Sequence, residues 1–361
     1  MIADAQELIQ VHQIVAGTGA KVVRWAVEEG WLKLRAIGAS FSAEANLSAK
    51  DMPELCVGTP TALVSSWLKG IEGEVEITFE ASDRVLRFEA GHSNIEVGVI
   101  THSEDLIRAN NLNLERANIT VLGMGGDIWN AAEAVAWASA VGVVSNVDPR
   151  FEAVHCSYGK VWATDRSQGA WVDMDLPNEA LPMIPPGLSA MAAFIDMDRA
   201  VIGVDAHNRL RVFSPVAELV APLFAGDPFG DFMDHERIRE TKAKGEVVIF
   251  TTKAMIEGLR RLDRVDQDDL AKRANVKGRV ELSSGGDGQM RLSVLVDKRR
   301  ATETIDCDSG SFTTIVPLGR FRALLKFLGA EETVMMLNGN GPITFDEDNR
   351  HAMQLPIVGR L

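Results

Sequence analysis

The stretch TETIDCDSG (Thr302–Gly310), followed after Ser311 by FTTIVPLGRFRALLKFLGAEETVMMLNGNGPITF (Phe312–Phe345), holds a complete strand, helix and hairpin. Ala301–Cys307 alternates polar and apolar residues, the period of a half-buried strand. Pro317 opens a helix that runs to Leu328, and Gly329 ends it; proline suits a first helical position because its missing N–H has no helical partner there. Thr333–Leu337 and Ile343–Phe345 form a hairpin over the turn residues 338–341. Working outward, Thr251 or Thr252 caps a helix reaching about Val265, strands follow at Arg279–Ser283 and Gln289–Val296, and a strand over His351–Ile357 completes the unit.

The same order of elements occurs twice more upstream, at intervals of about 120 residues. In the first copy, Asp4–Ala16 reads as a helix with Leu8, Val11, Ile14 and Val15 on one face, followed by strands at Lys21–Glu28, Trp31–Ile37 and Phe41–Leu47. Thr59 as N-cap and Pro60 as first residue open a second helix, Thr61–Gly70, and strands follow at Glu74–Phe79, Val85–Glu89 and Asn94–Ile100. In the second copy, Asp127 caps a helix to about Val141, strands lie at Phe151–Cys156, Lys160–Thr164 and Ala170–Met174, a helix spans Leu188–Ile195, and a hairpin joins Ala200–Asp205 to Leu210–Phe213. Each copy can bury its strands against two helices but is too small for a whole α/β enzyme fold. The chain therefore reads as α+β, with three repeated domains over residues 1–110, 111–234 and 235–361. A charged linker, Phe232–Glu246, precedes the third.

Composition bounds the function. The 361 residues are 46% hydrophobic and 24% charged, an ordinary globular balance. No apolar run approaches the roughly 18 residues of a membrane span, and the acidic start of the chain is unlike a secretion signal. Cys56, Cys156 and Cys307 are far apart and odd in number, so neither a disulfide framework nor a zinc site is read from them, and a reduced, cytoplasmic setting is expected. Charge is uneven: residues 1–234 carry 16 Lys+Arg and 32 Asp+Glu, a net of −16, whereas residues 235–361 carry 21 and 19, a net of +2. So acidic a surface excludes ordinary electrostatic binding of nucleic acid over most of the chain.

Across its full length the order of these segments resembles the bacterial DNA polymerase sliding clamp, or beta subunit. The resemblance is carried by Arg84–Ile100 (RVLRFEAGHSNIEVGVI), by Asp148-Pro149-Arg150 with Gly159–Asp165 (GKVWATD), by the third-unit stretch quoted above, and by the ending His351–Leu361, similar to the family's apolar-Met-Pro-x-Arg-Leu tail. It implies three clamp domains, each with two helices on antiparallel sheets. Two chains would join head to tail into a closed ring around duplex DNA, without cofactor or metal. The chain would be a processivity factor rather than an enzyme. It would hold DNA topologically and without sequence preference, and tether DNA polymerase and other replication or repair partners. A separate clamp loader would open the ring. Divergence from the family pattern suggests a phage- or plasmid-encoded clamp. The alternative is a clamp-like protein-interaction scaffold that does not encircle DNA; an α+β enzyme with an unrecognised carboxylate site is a further rival.

The resemblance also implies sites. DNA-facing bases on the inner helices would be Lys69, Lys253, Arg260, Arg264, Arg320, Arg322 and Lys326, with Arg261 beside them; the second unit's helices offer none. A partner-peptide cleft would be lined by Phe151, Thr164, Asp165, Arg166, Met353, Leu355, Pro356, Ile357 and Val358, a preformed apolar groove being a sound way to hold a short peptide motif. The family's Gly-His-Arg-Leu is Arg166-Ser167-Gln168-Gly169 here, and the tail is longer. The dimer edge would pair Ile95, Glu96 and Val97 with Leu262, Val265, Arg299 and Arg300, the interface charges having partly swapped sign.

Enzymatic motifs are lacking. Gly123-Met-Gly-Gly126 has no Lys-Ser/Thr after it and reads as a flexible interdomain connection. Asp266–Asp269 and Asp346–Asp348 lack calcium-loop spacing, the seven histidines form no i, i+4 metal pair, and there is no Gly-x-Ser-x-Gly elbow. The seven tryptophans fall on apolar faces or strands and read as core.

Overall fold

The computed structural model describes residues 1–39, 41–48, 55–112, 114, 119–139, 151–157, 159–176, 195–207, 209–221, 245–270, 278–296, 299–339 and 341–357. They fall into two compact units, one of residues 1–130 with 182–224, the other of residues 131–181 with 225–361.

The first unit begins β1 (Ile2–Asp4), α1 (Ala5–Ala16), β2 (Val22–Glu28), β3 (Trp31–Ile37), β4 (Ser42–Ser48), β5 (Cys56–Pro60), α2 (Thr61–Leu68), β6 (Glu74–Glu80), β7 (Val85–Ala90) and β8 (Ser93–Gly98). After α3 (Glu104–Asn110) come β9 (Thr120–Met124) and α4 (Gly125–Val135), whose residues from Ala131 on belong to the second unit, and later β13 (Val201–Val204), β14 (Leu210–Phe213) and β15 (Ala217–Ala221). The second unit contains β10 (His155–Ser157), β11 (Lys160–Thr164), β12 (Gln168–Asp173), β16 (Glu246–Thr251), α5 (Thr252–Leu270), β17 (Arg279–Gly285), β18 (Gln289–Val296), β19 (Arg299–Asp308), β20 (Ser311–Pro317), α6 (Leu318–Leu328), β21 (Glu332–Leu337), β22 (Ile343–Glu347) and β23 (Arg350–Gln354).

The repeat read from the sequence is present in the strand pairing. In the first unit, β1-β6-β7-β8 form one sheet and β5-β2-β3-β4 begin another; in the second, β16-β21-β22-β23 and β20-β17-β18-β19 follow the same two orders. The intervening repeat supplies β9-β13-β14-β15 to the first unit and β10-β11-β12 to the second. Each unit is stitched by one antiparallel seam between repeats. In the first, β4 pairs with β15, Glu44 opposite Glu218; in the second, β12 pairs with β23, Trp171 opposite His351.

The helices cover the apolar side of these sheets. Asp4 caps α1, its carboxylate accepting from the amides of Gln6 and Glu7, which satisfies two of the free N–H groups of a helix start. Leu8, Val11, Ile14 and Val15 are then buried as the helical period requires. Under α1, Trp25 meets Phe88 edge to face at 5.3 Å between centroids and donates its indole N–H to Thr59 Oγ1 at 2.8 Å. In the second unit α6 buries Phe321, Leu324, Leu325 and Leu328. Gly329 ends it at φ 69°, with its amide on Leu325 O, a left-handed stop that glycine adopts without strain.

Several expectations are revised. Thr59 does not cap α2: it lies in β5, and α2 follows directly from Pro60 with no side-chain cap. Asp127 sits in the first turn of α4 rather than capping it. Gly123–Gly126 is not a loose connection; it spans the end of β9 and the start of α4. A Cβ on Gly125 would stand 2.9 Å from the Ala200 Cβ, so glycine is needed for close approach. Strands β1, β5, β9, β15, β16 and β20 and helix α3 were not anticipated. The helix expected over 188–195 (apart from Ile195), the Asp148–Arg150 segment and most of the 232–246 linker lie outside the described residues, as does the expected boundary at 234. Among the described residues no helix is long and apolar enough to cross a membrane.

His12, on α1, is wholly buried, with Nδ1 3.4 Å from Ser65 Oγ and Nε2 without a partner among the described residues. Burial drives its pKa down from 6.5 to about 4. The unfolded chain therefore binds the extra proton first, and stability falls as pH drops from above 6.5 towards 4, by about 3 kcal/mol, then levels off. His12→Leu should abolish that component. Urea midpoints at pH 7 and pH 4.5 measure it, and an unchanged pH slope in the variant would contradict the assignment.

Candidate functional site

Two helix faces and one turn carry the residues singled out from sequence. On α5 the apolar side (Met255, Leu259, Leu262) is buried against β18 and β19, which leaves Lys253, Glu257, Arg260, Arg261 and Arg264 exposed. On α6, Lys326 is exposed. The two helices pack together and leave a groove of about 430 Å³ lined by Lys253, Ile256, Glu257, Arg260, Leu325 and Lys326, among others. Three cations against one carboxylate make this groove locally basic. Other bases are already engaged. Arg261 grips Glu303 through two bonds of 2.9 Å, and that carboxylate raises the pKa of the guanidinium above its ordinary value. Arg322 bonds Asp263 at 2.7 Å. In the first unit the outward face of α1 and α2 is nearly uncharged, with Gln6, Glu7, Gln13, Leu63, Ser66 and, at the end of α2, Lys69 exposed.

Arg320 has a different role from its helix neighbours. Its guanidinium bonds the carboxylate of Asp165 and, at 3.0 Å, the hydroxyl of Ser167, so it is committed to the β11–β12 turn. Within that turn Asp165 Oδ1 accepts from the Ser167 amide (2.9 Å), the Ser167 hydroxyl (2.8 Å) and the Gln168 amide (3.0 Å). Thr164 donates its hydroxyl to Gln168 O at 2.6 Å. Arg166 stands at φ 76°, a left-handed conformation that Gly adopts easily and other residues only when held. Its guanidinium lies 4.2 Å from the ring centre of buried Phe151, within cation–π range.

The chain's last described residues run beside this turn. Leu355 donates its amide to Ser167 O and Ile357 its amide to Ile315 O, each at 2.8 Å. Gly169 has Met353 against it: a Cβ there would come 3.2 Å from Met353 Cε. Leu355 is exposed, Pro356 and Ile357 are half-buried, and Met353 and Thr164 are buried. The structure thus brings Phe151, Thr164, Asp165, Arg166, Met353 and Leu355–Ile357 together around one turn; Val358 lies outside the described residues. Gln168 and Gln354, opposite one another in the β12–β23 seam, are buried there as well, each with an Oε1 lacking a partner among the described residues. Sequence reading passed over both, since a lone glutamine in a strand signals nothing.

The expected dimer edges divide into residues that face out and residues that do not. Val97 and Leu262 are buried in the cores of their own units, so they have no apolar surface to offer; Ile95, half-buried, and Val265, exposed, remain. Among the described residues β8 ladders with β7 alone, apart from a bridge between Gly58 and Ile100 just past its end. β19 ladders with β18 along residues 299–306, while its other side is met by β16 only at Cys307 and Asp308. Charges along these edges are neutralised at home: Glu96 by Arg87 at 2.5 Å, Glu303 by Arg261, and Arg300 by Glu281 at 2.8 Å. Arg299 lies at the start of β19.

Along its full length the chain is similar to solved structures of bacterial sliding clamps. The DNA polymerase sliding clamp from Pseudomonas aeruginosa aligns at a TM-score of 0.79 and 16% identity, covering 100% of this chain and 99% of that one. The DNA polymerase III beta subunit from Thermotoga maritima gives 0.78 and 15% over the same shares, and the sliding clamp from Caulobacter crescentus 0.81 and 12%, also 100% and 99%. No family model and no curated protein sequence matches. The chain has the α+β fold of a bacterial sliding clamp.

The turn's geometry sets a test. Asp165→Ala removes three local hydrogen bonds and leaves Arg320 without its carboxylate; it should lower stability by roughly 2–4 kcal/mol. Asp165→Asn keeps an acceptor and should lose about half as much. Urea unfolding of both variants measures this, and equal losses would show that the retained acceptor contributes nothing and that the charge on Asp165 carries the whole effect.

Proposed function

We propose that this protein is a DNA sliding clamp: two copies close head to tail around duplex DNA and hold a polymerase on it. The observation that carries the proposal is the pattern of sheet edges. In each unit the last strand of one group pairs antiparallel with the last strand of the next repeat's group, β4 with β15 and β12 with β23. Continuing that rule leaves β19 of the third repeat and β8 of the first, and both have an unladdered side. A row of unpaired backbone groups invites another strand. Pairing β19 of one copy with β8 of the other satisfies both edges twice, a head-to-tail contact that closes.

The two seams also suggest the register. Glu218 and Arg350 are the first residues of the second strand to pair within their hairpins, and they sit opposite Glu44 and Val172, two and three residues beyond Ser42 and Gly169, the first hairpin-paired residues of β4 and β12. The same offset sets Ser93 opposite Ala301 or Thr302, and brings Ile95 and Glu96 alongside Arg299 and Arg300.

Charge fits a topological grip. A ring need not bind phosphates tightly, and an acidic exterior keeps DNA off the outside. The modest basic charge sits on the α5–α6 face, with Lys253, Arg260, Arg264 and Lys326 towards DNA. Lys69 would add to it from α2, whereas Arg320 and Arg322 serve mainly through their ion pairs. The three-domain division at residues near 110 and 234, a cytoplasmic location, and opening by a separate ATP-driven loader belong to the same reading. Polymerase and loader would dock by a short peptide in the cleft of Phe151, Thr164, Arg166, Met353, Leu355, Pro356, Ile357 and Val358, with Asp165 fixing the turn.

Two measurements test it. Loaded on nicked circular DNA, the protein should stay bound at about 0.5 M salt, where phosphate contacts are largely lost, and leave on linearisation. Equal loss from circles and linear DNA would favour a scaffold that does not encircle DNA, a reading to which the near-neutral α1–α2 face lends weight. Separately, Ile95→Arg with Glu96→Arg sets like charges opposite Arg299 and Arg300 and removes an apolar contact. It should weaken association of two chains about 50-fold, from roughly 2–3 kcal/mol. An unchanged mass in solution at all concentrations would rule out β8 as the edge.

A further inference from the structure

The face of the first unit's long sheet turned away from the core is not an ordinary solvated surface. Leu32, Leu34 and Ala36 of β3 and Ala43, Ala45 and Leu47 of β4 point inward and are buried. The alternate residues, Trp31, Lys33 and Arg35 with Glu44 and Asn46, therefore share the other face. Register places Arg24, Arg35, Glu44 and Glu218 in one row across β2, β3, β4 and β15. Two carboxylates thus meet at the seam between repeats, and like charges directly opposite repel. Each is held by an arginine: Arg35 bonds Glu44, and Arg211, wholly buried, bonds Glu218 and Asp205. Arg211 also donates to Leu114 O at 3.2 Å, which places Leu114 beside this face.

Between these groups is a pocket of about 480 Å³, lined by Glu29, Trp31, Lys33, Arg35, Glu44, Asn46, Leu114, Pro215 and Glu218. The reading proposed above does not use it. Its two bases are spoken for: Arg35 by Glu44 and Glu28, Lys33 by Glu28 at 3.5 Å. Burial opposes ionisation of Glu28, but Arg24, Arg35 and Lys33 outweigh it and hold its carboxyl below the usual range. What the pocket leaves open is of the other sign. Glu29 is 88% exposed and only loosely approached by Lys33, at 3.8 Å. Asn46 Oδ1 is buried without a partner among the described residues. Trp31 presents an indole that is 48% exposed.

An aromatic face, an exposed and loosely paired carboxylate and an unmet acceptor fit a flat cation that donates several hydrogen bonds. We propose that this pocket receives an arginine side chain from a partner protein, as a docking point separate from the cleft around Asp165. A planar guanidinium can stack on an indole and donate to a carboxylate at once, which an ammonium cannot do. The net charge of −16 over residues 1–234 attracts a basic segment and repels phosphate. The proposal does not depend on DNA encirclement.

The test uses the full-length protein and N-acetyl-arginine methylamide, followed by NMR at the Trp31 indole N–H and the Asn46 side-chain amide, with the citrulline analogue as neutral isostere. The arginine probe should saturate both signals with a dissociation constant of about a millimolar, and citrulline should not. Glu29→Gln, at an exposed site, should weaken binding about threefold, and Trp31→Ala about tenfold. Absence of saturation, equal response to citrulline, or saturation of the same signals by inorganic phosphate would each overturn it.

Discussion

A sheet cannot end without consequence: its last strand leaves backbone N–H and C=O groups that must meet water, another strand or a cover. Most of this structure answers that constraint. Each repeat makes two short sheets, and every such sheet has an edge to dispose of. β4 meets β15 and β12 meets β23, so sheets of eight and eleven strands arise from groups of three and four. The helices do the complementary task on the apolar faces. Among the described residues one side of β8 and most of one side of β19 stay without a strand partner, and both strands are of the kind that pairs in the internal seams.

The seams are braced on the side away from the core, in different ways. In the first unit the brace is ionic, with Arg35 and Arg211 holding apart-facing roles for Glu44 and Glu218. In the second, His351 stands between Asp346 at 2.6 Å and Asp173 at 3.1 Å, while Lys160 bonds Asp173 at 3.0 Å and Trp171 stacks on the imidazole. Burial resists ionisation of Asp173, yet Lys160 and His351 prevail and its pKa lies below the ordinary value. Such partly buried networks tolerate loss of one member badly, which ties the integrity of each seam to residues far apart in sequence.

Much of the fold could be read from the chain because local signals agreed with it. The helical period of α1, the alternation of β3, and proline and glycine at the two ends of α6 each name their element. The strands that escaped notice are short, or, like β5 and β20, run straight into a helix through a proline that was taken to mark the helix alone. Sites were less legible. Arg320 looked like one more base on an inner helix, but its partner Asp165 is 155 positions away. Val97 and Leu262 were expected at the interface from the resemblance, but apolar character alone does not tell which side of a strand or helix is already covered by its own unit. The Glu44–Glu218 pairing and the pocket beside it come from a seam between repeats, which no local pattern announces.

In the proposed ring the unladdered sides of β8 and β19 pair between copies. Electron microscopy of negatively stained protein, with its mass checked in solution, tests this most directly. Closed rings of two chains, with a central hole wide enough for duplex DNA, are expected. Particles without a hole, at every concentration tried, would contradict it.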